Sequence, residues 1–217
     1  MKTLTDIYPL YALRITAGPL ELRVVRDEDI SPLVALAEEG IHDPAEMPFY
    51  VPWSTAPAGE LPLKMAQHYW GSRAGQNPAA WSLECVVRRD GEVVGIQAID
   101  TKDFLVTRTG ETGSWLARRF HGQGIGTLMR QVICAVAFDH LGFEEVTSGA
   151  FADNPSSRAV SRKVGYRANG QARHQRRDDE LAILEHLVLR PADLIRCDEQ
   201  IEVAGLEPAR RFIGLDA

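Results

Sequence analysis

The chain has 217 residues and a mass of 24.0 kDa, which suits one large domain or a domain with an appendage. Its composition is 45% hydrophobic and 25% charged, as in ordinary globular proteins. Its three cysteines form no Cys-x-x-Cys pair, so we expect no disulfide framework. No export signal opens the sequence, and no apolar run approaches the ~18 residues of a membrane span. We therefore expect a cytoplasmic protein with no membrane partner.

The net charge of −6 is unevenly placed along the chain. Residues 118–177 hold ten Lys/Arg and four acids, a balance of +6 that leaves −12 on the remainder. A solvated surface is the plainer explanation of such a segment. Because the segment also carries two motifs described below, we favour a polyanionic cofactor over a nucleic acid.

The first part of the chain alternates short strands and helices. Residues 13–25 predict a strand, a turn at Gly18-Pro19 and a second strand. A helix follows from about Ile30 to Gly40, with Asp27 or Asp29 as its cap.

Residues 42–57 are rich in proline, which excludes a regular helix or a central strand. Phe49 and Trp53 either pack this loop over the core or form a wall of a binding pocket. Residues 61–74 predict a second helix that contains His68, which is either structural or a pocket residue.

The middle of the chain predicts a hairpin and then a strand–loop–helix unit. Residues 81–88 and 93–99 are apolar runs joined through Asp90-Gly91, a strong hairpin signal. Residues 101–109 read as a connecting loop, and Glu111 begins a strand. The run R-R-F-H-G-Q-G-I-G-T (118–127) comes next, and helical periodicity continues to Gly142.

Three glycines, Gly122, Gly124 and Gly126, free the backbone of the 118–127 run and leave room for a ligand. The helix that begins there directs N–H groups and the positive end of its dipole at the loop, which suits a phosphate or pyrophosphate. The run lacks the Gly-Lys-Ser/Thr ending of a P-loop, and its glycines are one residue too close for a Rossmann fingerprint. The late position of the loop, after several antiparallel strands, also disfavours a Rossmann-type nucleotide binder.

A strand at 144–150 leads to N-P-S-S-R-A-V-S-R-K-V-G-Y (154–166), where Asn154 followed by Pro155 predicts a helix start. Two final strands are predicted around Asp178-Asp179. Residues 196–217 no longer follow the core pattern, and we interpret them as an extension that contacts another subunit or covers the site.

The glycine loop, together with N-x-x-S-x-x-x-S-x-K-x-G-Y about 27 residues later, resembles the GCN5-related N-acetyltransferase (GNAT) superfamily. More narrowly, the chain resembles RimJ/RimL-type members, and its H-D-P and M-P-F segments are similar to actinobacterial members, some of which use succinyl-CoA. The resemblance implies an α/β (α+β) fold in which helices flank a mixed, mostly antiparallel sheet of six to seven strands, with a splayed strand pair at the acyl-CoA site. It covers residues 13–194, which implies one acyltransferase domain at 1–195.

The resemblance also assigns a cofactor site for acetyl-CoA or succinyl-CoA. Main-chain amides of the glycine loop would hold the pyrophosphate, strand 113–117 would pair with the pantetheine arm, and Asn154 and Ser157 would lie beside that arm. The implied cofactor-binding residues are Leu116, Arg118, His121, Gly122, Gln123, Gly124, Ile125, Gly126, Thr127, Asn154 and Ser157. The family usually has Arg or Gln where His121 stands.

Acyl transfer to an amine needs a base for the amine and a hydrogen bond for the departing thiolate. Ser161 stands where many relatives have a tyrosine and RimL-type members have a serine. The alternative is a serine that faces solvent or bonds its own helix. Glu111 is the candidate base, with Glu180 as a weaker second; a rim carboxylate is the alternative for Glu111.

The predicted function is transfer of an acetyl group to a protein N-terminus, a lysine or a small amine by direct attack in a ternary complex. A succinyltransferase and a non-catalytic acyl-CoA-binding module are the alternatives. We expect no metal, because the six histidines show no ligand spacing. We also expect a homodimer or higher homo-oligomer.

Overall fold

A computed structural model of the protein describes residues 1–57, 59–177 and 179–216. Its α-helices are α1 (Leu4–Ile7), α2 (Asp27–Glu38), α3 (Leu61–Ala74), α4 (Phe104–Thr107), α5 (Ile125–His140), α6 (Pro155–Val164) and α7 (Leu206–Phe212). Its strands are β1 (Arg14–Ala17), β2 (Leu20–Val24), β3 (Ser82–Arg89), β4 (Glu92–Thr101), β5 (Thr109–Leu116), β6 (Glu145–Phe151), β7 (Arg167–Arg177), β8 (Glu180–Leu189) and β9 (Ile201–Ala204).

The strands form one sheet in the order β7-β8-β6-β5-β4-β3-β2-β1-β9. All neighbouring pairs are antiparallel except β5 and β6, which run parallel. The predicted fold class is confirmed. The sheet is larger than the six to seven strands predicted, because short β1 joins it and residues of the extension supply β9.

Two apolar layers cover the two faces of the sheet. Helix α5 and its neighbours form the larger layer, in which Met129, Val132 and Ile133 are at most 1% exposed. Helices α2 and α3 cover the other face through residues such as Leu33 and Met65. Burial of side chains of this size stabilises the fold by about 1.5–3 kcal/mol each.

Two local predictions need correction. Helix α2 begins three residues before Ile30, and neither Asp27 nor Asp29 is its N-cap; Asp29 lies at the third position and accepts the Arg26 N–H at 2.9 Å. The predicted loop 101–109 contains the helical turn α4, because Phe104 is fully buried against Trp81 and must be turned inward.

The extension predicted at 196–217 takes part in the chain's own sheet. Strand β9 pairs with β1, whose edge otherwise presents unpaired backbone groups, and α7 packs on the 3-10 turn Pro9–Ala12. This edge is the one farther from the β5–β6 pair. The structure therefore does not support the extension as a cover for that pair. Contact with another subunit and the boundary at residue 195 stay predictions.

Asp178 of the predicted turn and Ala217 at the end of the extension, like Ala58, lie outside the described residues. Within the ranges that are described, no helix is both long and apolar enough to cross a membrane.

Candidate active site

The loop between β5 and α5 presents a row of main-chain N–H groups. Those of residues 122–126 have no acceptor among the described residues, whereas the N–H groups of Thr127 and Leu128 bond the Gly124 carbonyl at 3.1 and 3.0 Å. A Cβ built on Gly122 (φ +74°) or Gly124 (φ +81°) would meet no atom within 4 Å. These N–H groups at the head of a 16-residue helix fit the pyrophosphate of an acyl-CoA.

Side chains of the loop hold it in shape. Gln123 accepts a hydrogen bond from Arg89 at 2.6 Å and donates to the Arg119 carbonyl at 2.9 Å. Ile125 is buried in the core, so that only its main chain is offered to a ligand. Each predicted loop residue therefore has either a free amide or a structural contact that orients its neighbours.

The main chain of Arg118 and the side chain of His121 form contacts within the chain. The Arg118 N–H donates to the Gly40 carbonyl at 3.2 Å, and the Arg118 carbonyl accepts from the His121 N–H at 3.1 Å. The His121 ring lies 3.1 Å from the Leu116 carbonyl. Both main-chain groups of Arg118 thus have partners, and so does the carbonyl of Leu116, a residue predicted to bind the cofactor through its main chain.

Strands β5 and β6 separate after a short paired stretch. Their register runs from Thr109↔Glu145 to Glu111↔Thr147, and residues 112–116 of β5 have no partner on β6. The cleft that opens there points towards the glycine loop, because that loop follows directly on β5. This is the splayed pair predicted from the sequence.

Helix α6 brings Asn154, Ser157 and Ser161 to one face at helical spacing. Asn154 is the N-cap, and its Oδ1 accepts the Ser157 N–H at 3.0 Å, so the capping interpretation is confirmed and the side-chain NH₂ remains available. The start of α5 is nearby, since a Cβ on Gly126 would lie 3.6 Å from Val160 Cγ2.

Ser161 is 2% exposed, and its Oγ has no hydrogen-bond partner among the described residues. The alternatives of a solvent-facing serine and of a serine bonded to its own helix therefore do not describe this residue. A buried hydroxyl without a partner is costly, which indicates a group that a ligand completes.

Glu111 lies on the opposite face of β5. It is directly across the ladder from Asp100 on β4, and its Oε1 is 3.6 Å from the position a Cβ would take on Gly149. Partial burial raises the pKa of the Glu111 carboxyl, Asp100 raises it further, and His186 opposes both. A carboxyl whose pKa is raised, in an open cleft, is suited to accept a proton.

A row of ionisable groups extends from Glu111 across three strands. Burial raises the pKa of Asp100, and neighbouring Glu84 adds to that effect. His68 of α3 forms an ion pair with Glu84, and this hydrogen bond is the main reason that the pKa of His68 is raised. His68 is thus connected to Glu111 through Glu84 and Asp100, on the same face of the sheet.

The proline-rich loop 42–57 packs over the same face. The rings of Phe49 and Trp53 lie 5.2 Å apart, and Trp53 is 5.7 Å from Trp115 of β5. Further along the loop, Tyr50 stacks on His174 of β7 at 4.0 Å. Both aromatic residues therefore lie on the Glu111 side of β5, where Trp53 packs against the core cluster of α2 and α3. Their role as a pocket wall stays a prediction.

Glu180, the second candidate base, forms ion pairs with Arg176 and Arg177. Arg176 also binds Asp153 at 2.8 Å and donates to the Met47 carbonyl at 3.4 Å. Glu180 therefore helps Arg176 to hold the loop 42–57 against β7. Because its carboxylate is already paired with two arginines, Glu180 is a weaker base candidate than Glu111. Within the described residues no group of three or more His, Cys, Asp or Glu is arranged to hold a metal ion.

Sequence reasoning missed two residues of this region. Asp100 was hidden because its place beside Glu111 depends on strand register. Arg130 had a visible signal, since it falls between Met129 and Ile133 on the buried side of an apolar helix, where a charged residue is unusual.

These features, a splayed parallel pair beside an anion-binding helix start, define the class of proteins that bind a nucleotide-linked acyl carrier across a sheet. Residues 19–167 match the family described as acetyltransferase (GNAT) domain. The chain therefore belongs to the GNAT acetyltransferase family. The predicted superfamily and the class of acyl-CoA-dependent N-acyltransferases are confirmed at the level of the family, and the RimJ/RimL-like subgroup stays a prediction.

The chain is 33% identical over 91 residues to the putative ribosomal N-acetyltransferase YdaF of Bacillus subtilis (strain 168). That alignment covers 42% of this chain and 49% of YdaF, so it spans about half of the relative's length.

Solved structures share the fold at lower identity. Mycobacterium smegmatis RimJ in complex with CoA-disulfide superposes with a TM-score of 0.65 at 18% identity, covering 92% of this chain and 94% of RimJ. RimL, a ribosomal L7/L12 alpha-N-protein acetyltransferase in complex with coenzyme A, gives 0.64 at 16% identity, with 79% and 94% coverage. Spermidine N-acetyltransferase from Vibrio cholerae in complex with CoA and spermine gives 0.62 at 12% identity, with 81% and 98% coverage.

Proposed function

We propose that this protein transfers an acetyl group from acetyl-CoA to an amine by direct attack in a ternary complex. The observation that carries the proposal is the β5–β6 cleft, which has the free amides of residues 122–126 at its wide end. The unpartnered, buried Ser161 hydroxyl of α6, a helix that packs against α5, supports the proposal as well. The amides suit the donor's diphosphate. The pantetheine arm carries amide groups, which suit the unpaired stretch of β5 and the free NH₂ of Asn154.

Two residues would carry the chemistry. Glu111 takes a proton from the incoming amine, directly or through water, so that the nitrogen lone pair can attack the thioester carbon. Ser161 donates a hydrogen bond to the sulfur as negative charge develops there. A serine hydroxyl is a weak acid, so the role assigned to Ser161 is a hydrogen bond to the sulfur and not transfer of its proton.

The acceptor is proposed to enter on the Glu111 face, between the aromatic loop and the row of carboxylates. A protonated amine is attracted by Asp100 and Glu84, and Glu111 removes its proton. Relatives bear the names of ribosomal-protein and spermidine acetyltransferases. A protein N-terminus, a lysine and a small polyamine are therefore the acceptor classes to compare.

The proposal also includes a cytoplasmic location and self-association into a homodimer or larger oligomer. The location is supported by three free thiols, which persist in a reducing compartment. Acetyl is the proposed acyl group, and succinyl is its rival in the test below.

The test is a screen that measures release of free thiol while acetyl-CoA and succinyl-CoA are each crossed with an N-terminal peptide, a lysine peptide and a polyamine. We expect thiol release with acetyl-CoA and at least one amine, and micromolar CoA binding by calorimetry without added metal. If succinyl-CoA turns over faster than acetyl-CoA, succinyl replaces acetyl as the proposed acyl group. Tight binding without release for any pair would leave an acyl-CoA-binding module, and the absence of both heat and a thermal shift would overturn the proposal.

A further inference from the structure

Arg130 is a buried cation at the point where β5 and β6 separate. It lies on α5 and is 4% exposed. Its Nη1 donates to Thr112 Oγ1 at 3.1 Å and to Ser148 Oγ at 3.2 Å, one hydroxyl from each of the two strands. The main-chain ladder ends at Glu111 and Thr147. One residue beyond these last paired positions, the guanidinium joins the two strands through their hydroxyls.

The remaining contacts of Arg130 are also neutral. Its Nη2 donates to Ser114 Oγ at 2.7 Å and its Nε to Gln97 Oε1 at 3.3 Å. No carboxylate forms an ion pair with it among the described residues. A guanidinium stays charged in proteins, and burying it without a counter-ion is unfavourable. Hydroxyl and amide partners orient the group but leave its charge uncancelled.

The acyl end of the donor must come to rest near this charge. A pantetheine arm that lies along residues 112–116 of β5 can go no deeper than the point where the two strands bond to each other. With the diphosphate at residues 122–126, the thioester is directed to that closed end of the cleft, which Thr112 and Ser148 form and Arg130 underlies.

We propose that Arg130 is a positioning residue that fixes the closed end of the donor cleft and places an uncancelled positive charge beneath the departing sulfur. In the reaction the C–N bond forms, the C–S bond breaks, and sulfur leaves with the electron pair. The amine proton passes to Glu111 or to water, and the thiolate later takes up a proton from solvent. A nearby positive charge in a site of low polarity favours the thiolate. This inference rests on the proposed function.

Among the residues that the structure describes, two titratable groups face Arg130 from the elements packed around it. They are Cys134 on α5 and Tyr166, which follows α6. Burial raises the pKa of Cys134 to about 11 and that of Tyr166 well above its usual value, while Arg130 opposes the shift in both. Both groups therefore stay neutral at working pH. Gln97, Thr112, Ser114 and Ser148, which face Arg130 from the strands, do not titrate.

The test measures the pKa of the thiol of bound CoA, from the difference in ultraviolet absorbance between complexes with CoA and with desulfo-CoA across a pH series. We expect the bound thiol to titrate about one pH unit below that of free CoA in the wild-type protein. Arg130→Met should return it to the free value, and Arg130→Lys should keep part of the shift while lowering kcat more than donor affinity. Cys134→Ala, on the same helix and uncharged, is the control and should leave the shift unchanged.

The outcomes separate the two proposals. If wild-type protein binds no CoA, the proposed function fails and this inference fails with it. If CoA binds but its thiol titrates as in free CoA, or if Arg130→Met leaves a lowered pKa in place, the inference alone is wrong. Should Arg130→Met not fold, the wild-type titration and Arg130→Lys still decide, since a purely structural arginine would not move the pKa of a ligand.

Discussion

Strand β5 separates two environments that differ in charge, exposure and the groups that make contacts. On the α5 side, the Thr112 and Ser114 hydroxyls surround a buried guanidinium. On the α3 side, Glu111 lies beside Asp100 and is partly open to water. Successive side chains of one strand thus face a positive interior and a negative surface.

The difference suggests how charge moves during the proposed reaction. A cationic amine would approach the carboxylate face and lose a proton there, whereas negative charge would develop on sulfur near the cationic side. The donor side relies on main-chain amides and buried hydroxyls fixed by the fold. The acceptor side relies on exposed side chains, and it is therefore the side on which related enzymes can differ.

The largest expected effect is on the donor side. Gly124→Val places a branched side chain over the free amides and strains a residue at φ +81°, so we expect CoA affinity to fall about 1,000-fold, as when two hydrogen bonds to a charged group are lost. Calorimetry with CoA provides the measurement. Gly91→Val is the matched control, because Gly91 has φ +87° and also no atom within 4 Å of a built Cβ. Similar weakening in the control would show that backbone strain, rather than obstruction of the loop, is responsible.

The next largest effect is expected from removal of the candidate base on the acceptor side. Glu111→Gln should lower kcat/KM by about 100-fold, and in the wild type kcat/KM should fall as pH falls through the raised pKa of Glu111, because the base is then protonated. Asp100→Asn removes a negative neighbour, so the same acid limb should move to lower pH. Glu202→Gln on β9, at the far edge of the sheet, is the control. An unchanged pH profile in Glu111→Gln would assign the base elsewhere.

Local signals predicted the secondary structure of the proposed donor side well. Three glycines before a periodic apolar stretch gave the loop and α5, and Asn-Pro gave the N-cap of α6, because each depends only on residues close in sequence. The hairpin at Asp90-Gly91 was found for the same reason.

Contacts between distant segments escaped the sequence analysis. The pairing of Asp100 with Glu111 depends on register, which alternation alone does not set. The bond from Arg176 to the Met47 carbonyl joins residues 129 apart. The pairing of β9 with β1 was not predicted either, because it depends on the shape of the finished sheet edge.

Ser161 offers a test with two opposite readouts. Its unpartnered buried hydroxyl destabilises the free protein, so Ser161→Ala should raise the free energy of unfolding by about 1 kcal/mol. The same change should lower kcat about 10- to 100-fold with little change in donor affinity, because a hydrogen bond to a charged group is worth ~1.5–3 kcal/mol. Exposed Ser156, at the start of the same helix, provides the control as Ser156→Ala. Unchanged turnover in Ser161→Ala would reassign the residue to structure.

The smallest effect concerns the charge of the acceptor face. The hydrogen bond with Glu84 raises the pKa of His68, and burial opposes it. Protonated His68 therefore stabilises the fold at pH values below its unfolded pKa, and this contribution is lost as pH rises through the higher folded pKa. Because His68 is 64% exposed, the solvent-screened pair is worth only about 0.5 kcal/mol. Urea unfolding of His68→Gln should show this deficit near pH 5.5 and none near pH 9. A deficit that persisted at high pH would mean that packing, and not charge, holds His68 against the carboxylate row.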